Sequence, residues 1–436
     1  MPFAWCARRR FPVLRLSSRG CRTVEHCCFV SSFVAFVLLV PAVTSSSAVA
    51  CQGSENALAA QGASDAAWAA AIEQIRSVAP EGGNHDAAMR GLESLRAAGA
   101  VALLPVLRGM DGASPRAKNW LRALAAELAD QAPLPRDDLE RFFDDLSQDP
   151  DARYLVFRWL TDADLQHRDA VLAERTQDPS LPLRYLANRL ALQRAAVLGA
   201  EATDERIASY RRILNEARNP DQLRQASEGL QGLGVQVDLA SELKMLTRWY
   251  AIAPFDNTGG EGFDRPQGPE LLLKPPREPN PEQPNPEQLE IDFAQPWMGK
   301  MGEVRWQVVA TDDAMGSLDL NPTFENAKEA VAYLFCRFHA PQAGEAQARI
   351  GSSNANKVWV NGQLVTANEV YHAGSMVDQY QGTCQLRSGE NWVLLKICQN
   401  NQTESWAQDW QVQFRITDAT GKGIDLERVV PAGGAP

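Results

Sequence analysis

From about Asp65 to Leu246 the apolar residues recur at three- and four-residue steps, the period of amphipathic helices. Trp68, Ile72 and Ile75 form one stripe. Leu92 and Leu95, then Leu103, Leu104 and Leu107, form the next, and Trp120, Leu121, Leu124 and Leu128 a longer one. Ser114-Pro115, Asp149-Pro150, Asp178-Pro179 and Asn219-Pro220 each supply a cap and a first-turn proline. Gly99, Gly199 and Gly234 sit where helices should end. At Trp249 the pattern changes to short strand-like runs over 248–252, 304–309, 330–338, 346–350, 357–360, 392–398 and 410–416. Val358 and Val360 alternate with Lys357 and Trp359, as in a half-buried strand, and Asn361-Gly362 is a type I′ hairpin signal. Short strands joined by Gly, Asn and Pro turns predict an antiparallel β-sandwich or jelly roll. The fold class expected is an α+β multidomain chain, with a helical domain over 65–246 and a sandwich over 247–428.

The ends of the chain read differently. Residues 1–50 hold six Arg and one acid, Glu25, leaving 37 basic and 53 acidic side chains, a balance of −16, in the rest. No charge falls between His26 and Glu55, and this gap holds the apolar run Phe29 to Val40, Pro41 and then small residues up to Cys51. That order predicts a signal peptide over 1–50 and an exported protein, periplasmic, in the cell envelope or extracellular. Retention of the run as a membrane anchor is the alternative. A third reading is that Ala48-Val49-Ala50-Cys51 resembles a bacterial lipoprotein cleavage box, which would make Cys51 a lipidated residue. Residues 51–64 are expected to be a flexible mature N-terminus and 429–436 a disordered tail. A Pro-rich stretch, 274–288, with a tandem Pro-Asn-Pro-Glu-Gln, is expected to be a long loop inside the sandwich. The acidic body argues against nucleic acid as a partner.

Two resemblances sharpen the pattern. A capped turn followed by an Arg on a helix (Arg153, Arg184 and Arg224 after the last three turns) resembles the HEAT-like α-solenoid repeat, an irregular helical bundle being the alternative. Residues 249–263, from Trp249 through Pro254-Phe255-Asp256-Asn257 to the Gly-rich turn, with Pro269-Glu270 beyond, resemble the opening of a galactose-binding-like sandwich domain of secreted bacterial proteins. Residues 350–365 and 389–396 match two further segments of that family in the right order, including Asn391 and Lys396. The family's Asp-Asp pair is replaced by Ser353-Asn354, and two neutral side chains bind Ca²⁺ far less well than carboxylates.

Chemistry is sparse. HExxH, GxSxG, GxxxxGK[ST] and GxGxxG are absent from the sequence, so no zinc-protease, serine-hydrolase or nucleotide signature is present. Trp406, Trp359 and Trp410 are candidates for a sugar-stacking platform, Trp406 because a polar loop precedes it. Asp256, Asn257, Glu261 and Asp264 offer oxygen ligands for Ca²⁺, with an Asx-turn and glycine loop as the structural alternative. Cys384 and Cys398 are the candidate disulfide in an oxidising compartment. The reading is a non-catalytic scaffold whose helical repeats bind a protein partner. The alternatives are a carbohydrate-binding protein using the sandwich loops and an unrecognised hydrolase.

Overall fold

A computed structural model describes residues 65–273 and 291–429, all within one compact unit. The leader, Cys51, the Pro-rich stretch 274–288 and the tail from 430 lie outside the described residues. The first half is helical: α1 (65–76), α2 (His85–Ala98), α3 (Leu103–Arg108), α4 (Pro115–Ala129), α5 (Arg136–Asp144), α6 (Pro150–Thr161), α7 (Leu165–Ala173), α8 (Leu181–Val197), α9 (Thr203–Glu216), α10 (Pro220–Gln231) and α11 (Leu239–Glu242). Among the described residues no helix is long and apolar enough to cross a membrane.

The proline signals mark three of these starts. Ser114, Asp149 and Asn219 accept from the first-turn amides of α4, α6 and α10. Asp178 departs from its expected role. The next helix begins at Leu181 after Ser180, and Asp178 instead accepts both Arg153 Nη atoms at 2.7 and 2.8 Å and the Ser180 amide at 2.8 Å. Both side chains of that ion pair are fully buried. Apolar stripes from α1 to α8 share one core around Ile75, Leu95, Leu121, Leu139 and Phe157. A second cluster joins α8 to α11 through Ile213, Leu230, Leu239, Leu243 and Met245.

The second half is antiparallel β. A large sheet runs β4 (Gln307–Ala310), β1 (Arg248–Asp256), β6 (Ala330–Ala340), β11 (Gly389–Gln399), β8 (Ala355–Val360), β9 (Gln363–Asn368), with β13 (Glu427–Val429) also on β6. A smaller sheet runs β10 (Tyr380–Leu386), β7 (Gly344–Gly351), β12 (Gln411–Thr417), β5 (Leu318–Asp319). The hairpin β2 (Trp297–Met298) with β3 (Glu303–Val304) stands apart. Asn361 and Gly362 both have positive φ, 51° and 88°, as a type I′ turn between β8 and β9 requires.

The sandwich core holds Trp249, Leu334, Val393, Trp410, Phe414 and Ile416. The outer face of the large sheet is also covered. Tyr250, Phe335, Trp359, Trp392 and Leu394 pack there with Phe263 and Ile291. The half-buried strand expected at 357–360 is therefore buried on both faces. Chain between β1 and β4 lies over it, with Lys357 reaching Asp264 at 3.0 Å.

Candidate functional site

Most sequence candidates fall inside the protein. Trp410 is fully buried in the core between the sheets, and Trp359, 7% exposed, fills the covered outer face. Neither can stack on a ligand. The proposed disulfide is also absent: Cys384 and Cys398 are separate buried thiols. Cys384 lies in the core between the sheets and Cys398 on the opposite face of the large sheet, so β11 separates them. Burial pushes the Cys384 thiol up to about 11 and the Cys398 thiol to about 12, which keeps both protonated and unreactive.

The four oxygen-bearing residues of the 256–264 turn do not converge on a cation. Asp256 accepts from the Thr258 hydroxyl at 2.6 Å and pairs with Arg265 at 2.6 Å. The Thr258 hydroxyl first, then Arg265, hold its carboxyl at about 2 against a desolvation that opposes them. Glu261 faces Arg265 at 3.9 Å, and Asp264 is taken by Lys357. Asn257 is fully buried and donates to Tyr371 Oη at 3.2 Å and the Gln399 carbonyl at 2.9 Å. Among the described residues no group of three or more His, Cys, Asp or Glu could hold a metal ion.

The segments that resemble the galactose-binding-like family are bonded to one another. Lys396 of β11 is fully buried and donates to Glu270 Oε2 at 2.7 Å, the Phe263 carbonyl at 2.9 Å and the Arg265 carbonyl at 3.0 Å. Tyr333 of β6 donates to the same Glu270 oxygen at 2.7 Å. Burial lowers the Lys396 ammonium, and the Glu270 hydrogen bond and charge work against that shift. Burial, then the Glu270 charge, raise the Tyr333 phenol far above its usual range. This network clamps the 257–273 segment onto the sheet. Pro269-Glu270 and Lys396 were visible as text, but their pairing spans 126 residues and could not be read from it. Asn354 is likewise internal, bonding Gln399 Oε1 at 3.1 Å and the Asp409 carbonyl at 3.0 Å.

Among the candidate tryptophans one stands outside. Trp406 is 61% exposed, the one exposed tryptophan among the described residues. The His372 ring meets it edge-on, with centroids 5.4 Å apart and planes at 89°. His372 Nε2 lies 2.9 Å from Asn400 Oδ1, and its amide donates to the Ser353 carbonyl at 2.6 Å. Asn400 also donates to Gln402 Oε1 at 2.8 Å, and its carbonyl accepts the Glu329 amide at 2.9 Å. Lys328 braces the turn under Trp406 by donating to the Ala407 carbonyl at 3.0 Å. Glu325, Asn326, Glu329 and His372 all hold positive φ, between 47° and 57°. Such conformations cost of order 1–3 kcal/mol each and persist where the surroundings force them, often at ligand sites. Sequence reasoning missed His372, isolated in the text, and did not single out Asn400 within the polar stretch before Trp406; the two meet only through the fold.

Neither a protein-family model nor a curated protein matches the chain. Solved structures similar to part of it include a β-glucosidase from Kluyveromyces marxianus, at 10% identity and TM-score 0.21, over 29% of this chain and 16% of that one. Another is the GH31 α-xylosidase of Xanthomonas citri, at 18% identity and TM-score 0.14, over 23% and 11%. The chain therefore spans a small fraction of either protein, and likenesses this weak carry no argument about activity.

The arrangement around Trp406 can do one thing well. It offers a flat apolar ring, met on edge by the His372 imidazole, on a chain segment whose preceding residues, Asn400 to Ser405, are all polar. A ligand with one apolar face and a polar rim would cover the indole and bond the rim.

Proposed function

We propose that this chain is an exported, non-catalytic binding protein whose sandwich takes a carbohydrate on the loop surface centred on Trp406. The observation that carries the reading is the exposure of that indole on a loop braced by Lys328, beside a His372 that holds positive φ. A pyranose ring has one apolar face and hydroxyls around its edge, which suits an aromatic platform bordered by amides. In this reading the sandwich is galactose-binding-like, and the Ser353-Asn354 replacement makes binding independent of Ca²⁺. The helical part is a HEAT-like scaffold. The contacts Lys118 to Asp149 at 2.6 Å and Arg153 to Asp178, each from one helix to the turn before a later one, support that. The test is a glycan array probed with the full chain and with Trp406→Ala, with and without Ca²⁺. Specific signals lost in the variant and indifferent to chelation support the reading. An array with no specific signal contradicts it.

A second reading, capture of a protein partner by the helical part, has its own support. A groove of about 410 Å³ between α7, α8 and α9 is floored by Ala187, Leu190, Ala191 and Ala195 and flanked by Arg194 and Arg212. Partner capture that survives Trp406→Ala and is lost in Leu190→Glu would favour this reading.

A further inference from the structure

The loop 369–379 touches both halves of the molecule. His372, near its start, sets the edge of the Trp406 surface. Five residues on, Val377 packs against the apolar cluster that holds Leu239, Leu243 and Met245 at the end of the helical part. Beside it, Asp378 accepts from Arg415 Nε at 2.8 Å and Nη2, and from Arg349 Nη1 at 2.8 Å. The same Arg415 guanidinium donates from Nη1 to the Leu243 carbonyl at 3.2 Å, and the Leu246 amide donates to the Phe414 carbonyl at 2.9 Å. One buried charge network therefore ties the last helical turn, β12 and the loop together. Burial alone would raise the Asp378 carboxyl, but Arg415 and then Arg349 reverse this and hold it below the usual carboxylate range.

The loop between these two anchors has little freedom. A Cβ on Gly351 would lie 2.1 Å from the Met376 carbonyl oxygen, so only glycine lets the loop lie this close to β7. Gln379 donates to the Gly374 carbonyl at 3.1 Å and accepts from the Ser352 amide at 3.1 Å. Both His372 and Asp378 hold positive φ, 57° and 61°, so each end depends on its partners to stay in place. A shift at Asp378 then has a short, packed path to His372.

We infer that the end of the helical part sets the geometry of the Trp406 surface through this loop, with Asp378 and Arg415 as positioning residues. The inference rests on reading Trp406 as the ligand surface, but the mechanical link exists with or without a ligand. Two readouts separate the claims. In the full chain labelled with 5-fluorotryptophan, the ¹⁹F line of Trp406 is assigned by its loss in Trp406→Phe. Asp378→Asn and, independently, Met245→Ala in the helical part should each move that line. Affinity for any polysaccharide that retains the wild type should fall roughly 3- to 30-fold in both variants, the range for mutations along a coupled path. A Trp406 line unmoved in either folded variant overturns the link. A moved line with unchanged affinity overturns the positioning role. A moved line in a protein that retains no polysaccharide supports the link and counts against the carbohydrate reading instead.

Discussion

Two loop regions of the sandwich are rich in polar residues, and they are of opposite kinds. The 257–273 segment is closed. Lys396 donates its three protons to Glu270 and two carbonyls, and Tyr333 donates to the same Glu270 oxygen. The 399–409 loop is open at Trp406, whose indole lies in solvent, while Lys328 and Asn354 brace its backbone. A buried hydrogen-bonded network clamps one element onto another, whereas an exposed ring leaves surface for something else to cover.

The largest effect should come from breaking the closed network. Lys396→Met strands the Glu270 carboxylate and should cost about 3–5 kcal/mol, read as a lower denaturant midpoint. Adding Glu270→Met should recover much of that loss, because no buried charge is then left alone. A single variant that loses under about 1 kcal/mol would show that water already reaches this network. Trp359→Ala should cost a similar amount, about 3–5 kcal/mol, through the cavity left on the covered face of the large sheet.

Acid should come next. Asp256, held at about 2 by Thr258 and Arg265, and Asp378, lowered by its two arginines against burial, both bind protons less readily folded than unfolded. Their contribution is complete above about pH 4 and is lost at lower pH, for Asp256 as pH falls toward about 2. The melting temperature should therefore drop across that window, and Asp256→Asn should flatten the profile. A Tm independent of pH between 4 and 2 would contradict these pairings. The smallest effect on stability belongs to the open loop. Trp406→Ala should change unfolding free energy by no more than about 0.5 kcal/mol, the scale of surface substitutions.

The sequence made the order of parts legible because period and caps are local. Pro115, Pro150 and Pro220 open helices as read, and Asn361-Gly362 turns a hairpin as read. What failed was long-range. A strand with apolar residues on both faces does not say which chain will cover its second face, so Trp359 looked available when Phe263 and its neighbours enclose that side. Cys384 and Cys398 are close in sequence, yet they lie in different sheets, and alternation along β11 turns Cys398 to the face away from Cys384. Asp378, unremarkable in the text, meets arginines 29 and 37 residues away. Trp406 was legible because its exposure follows from a polar loop, a local property. The imidazole and amide that hold it were not.

The most direct test of the contrast between the two loops is retention of the full chain on a panel of insoluble polysaccharides, wild type beside Trp406→Ala, with unfolding curves for both. The expected result is retention of the wild type on at least one polysaccharide, lost in the variant at unchanged stability. Equal retention of the two proteins, or none on any polysaccharide, would contradict the assignment of Trp406 as the ligand surface.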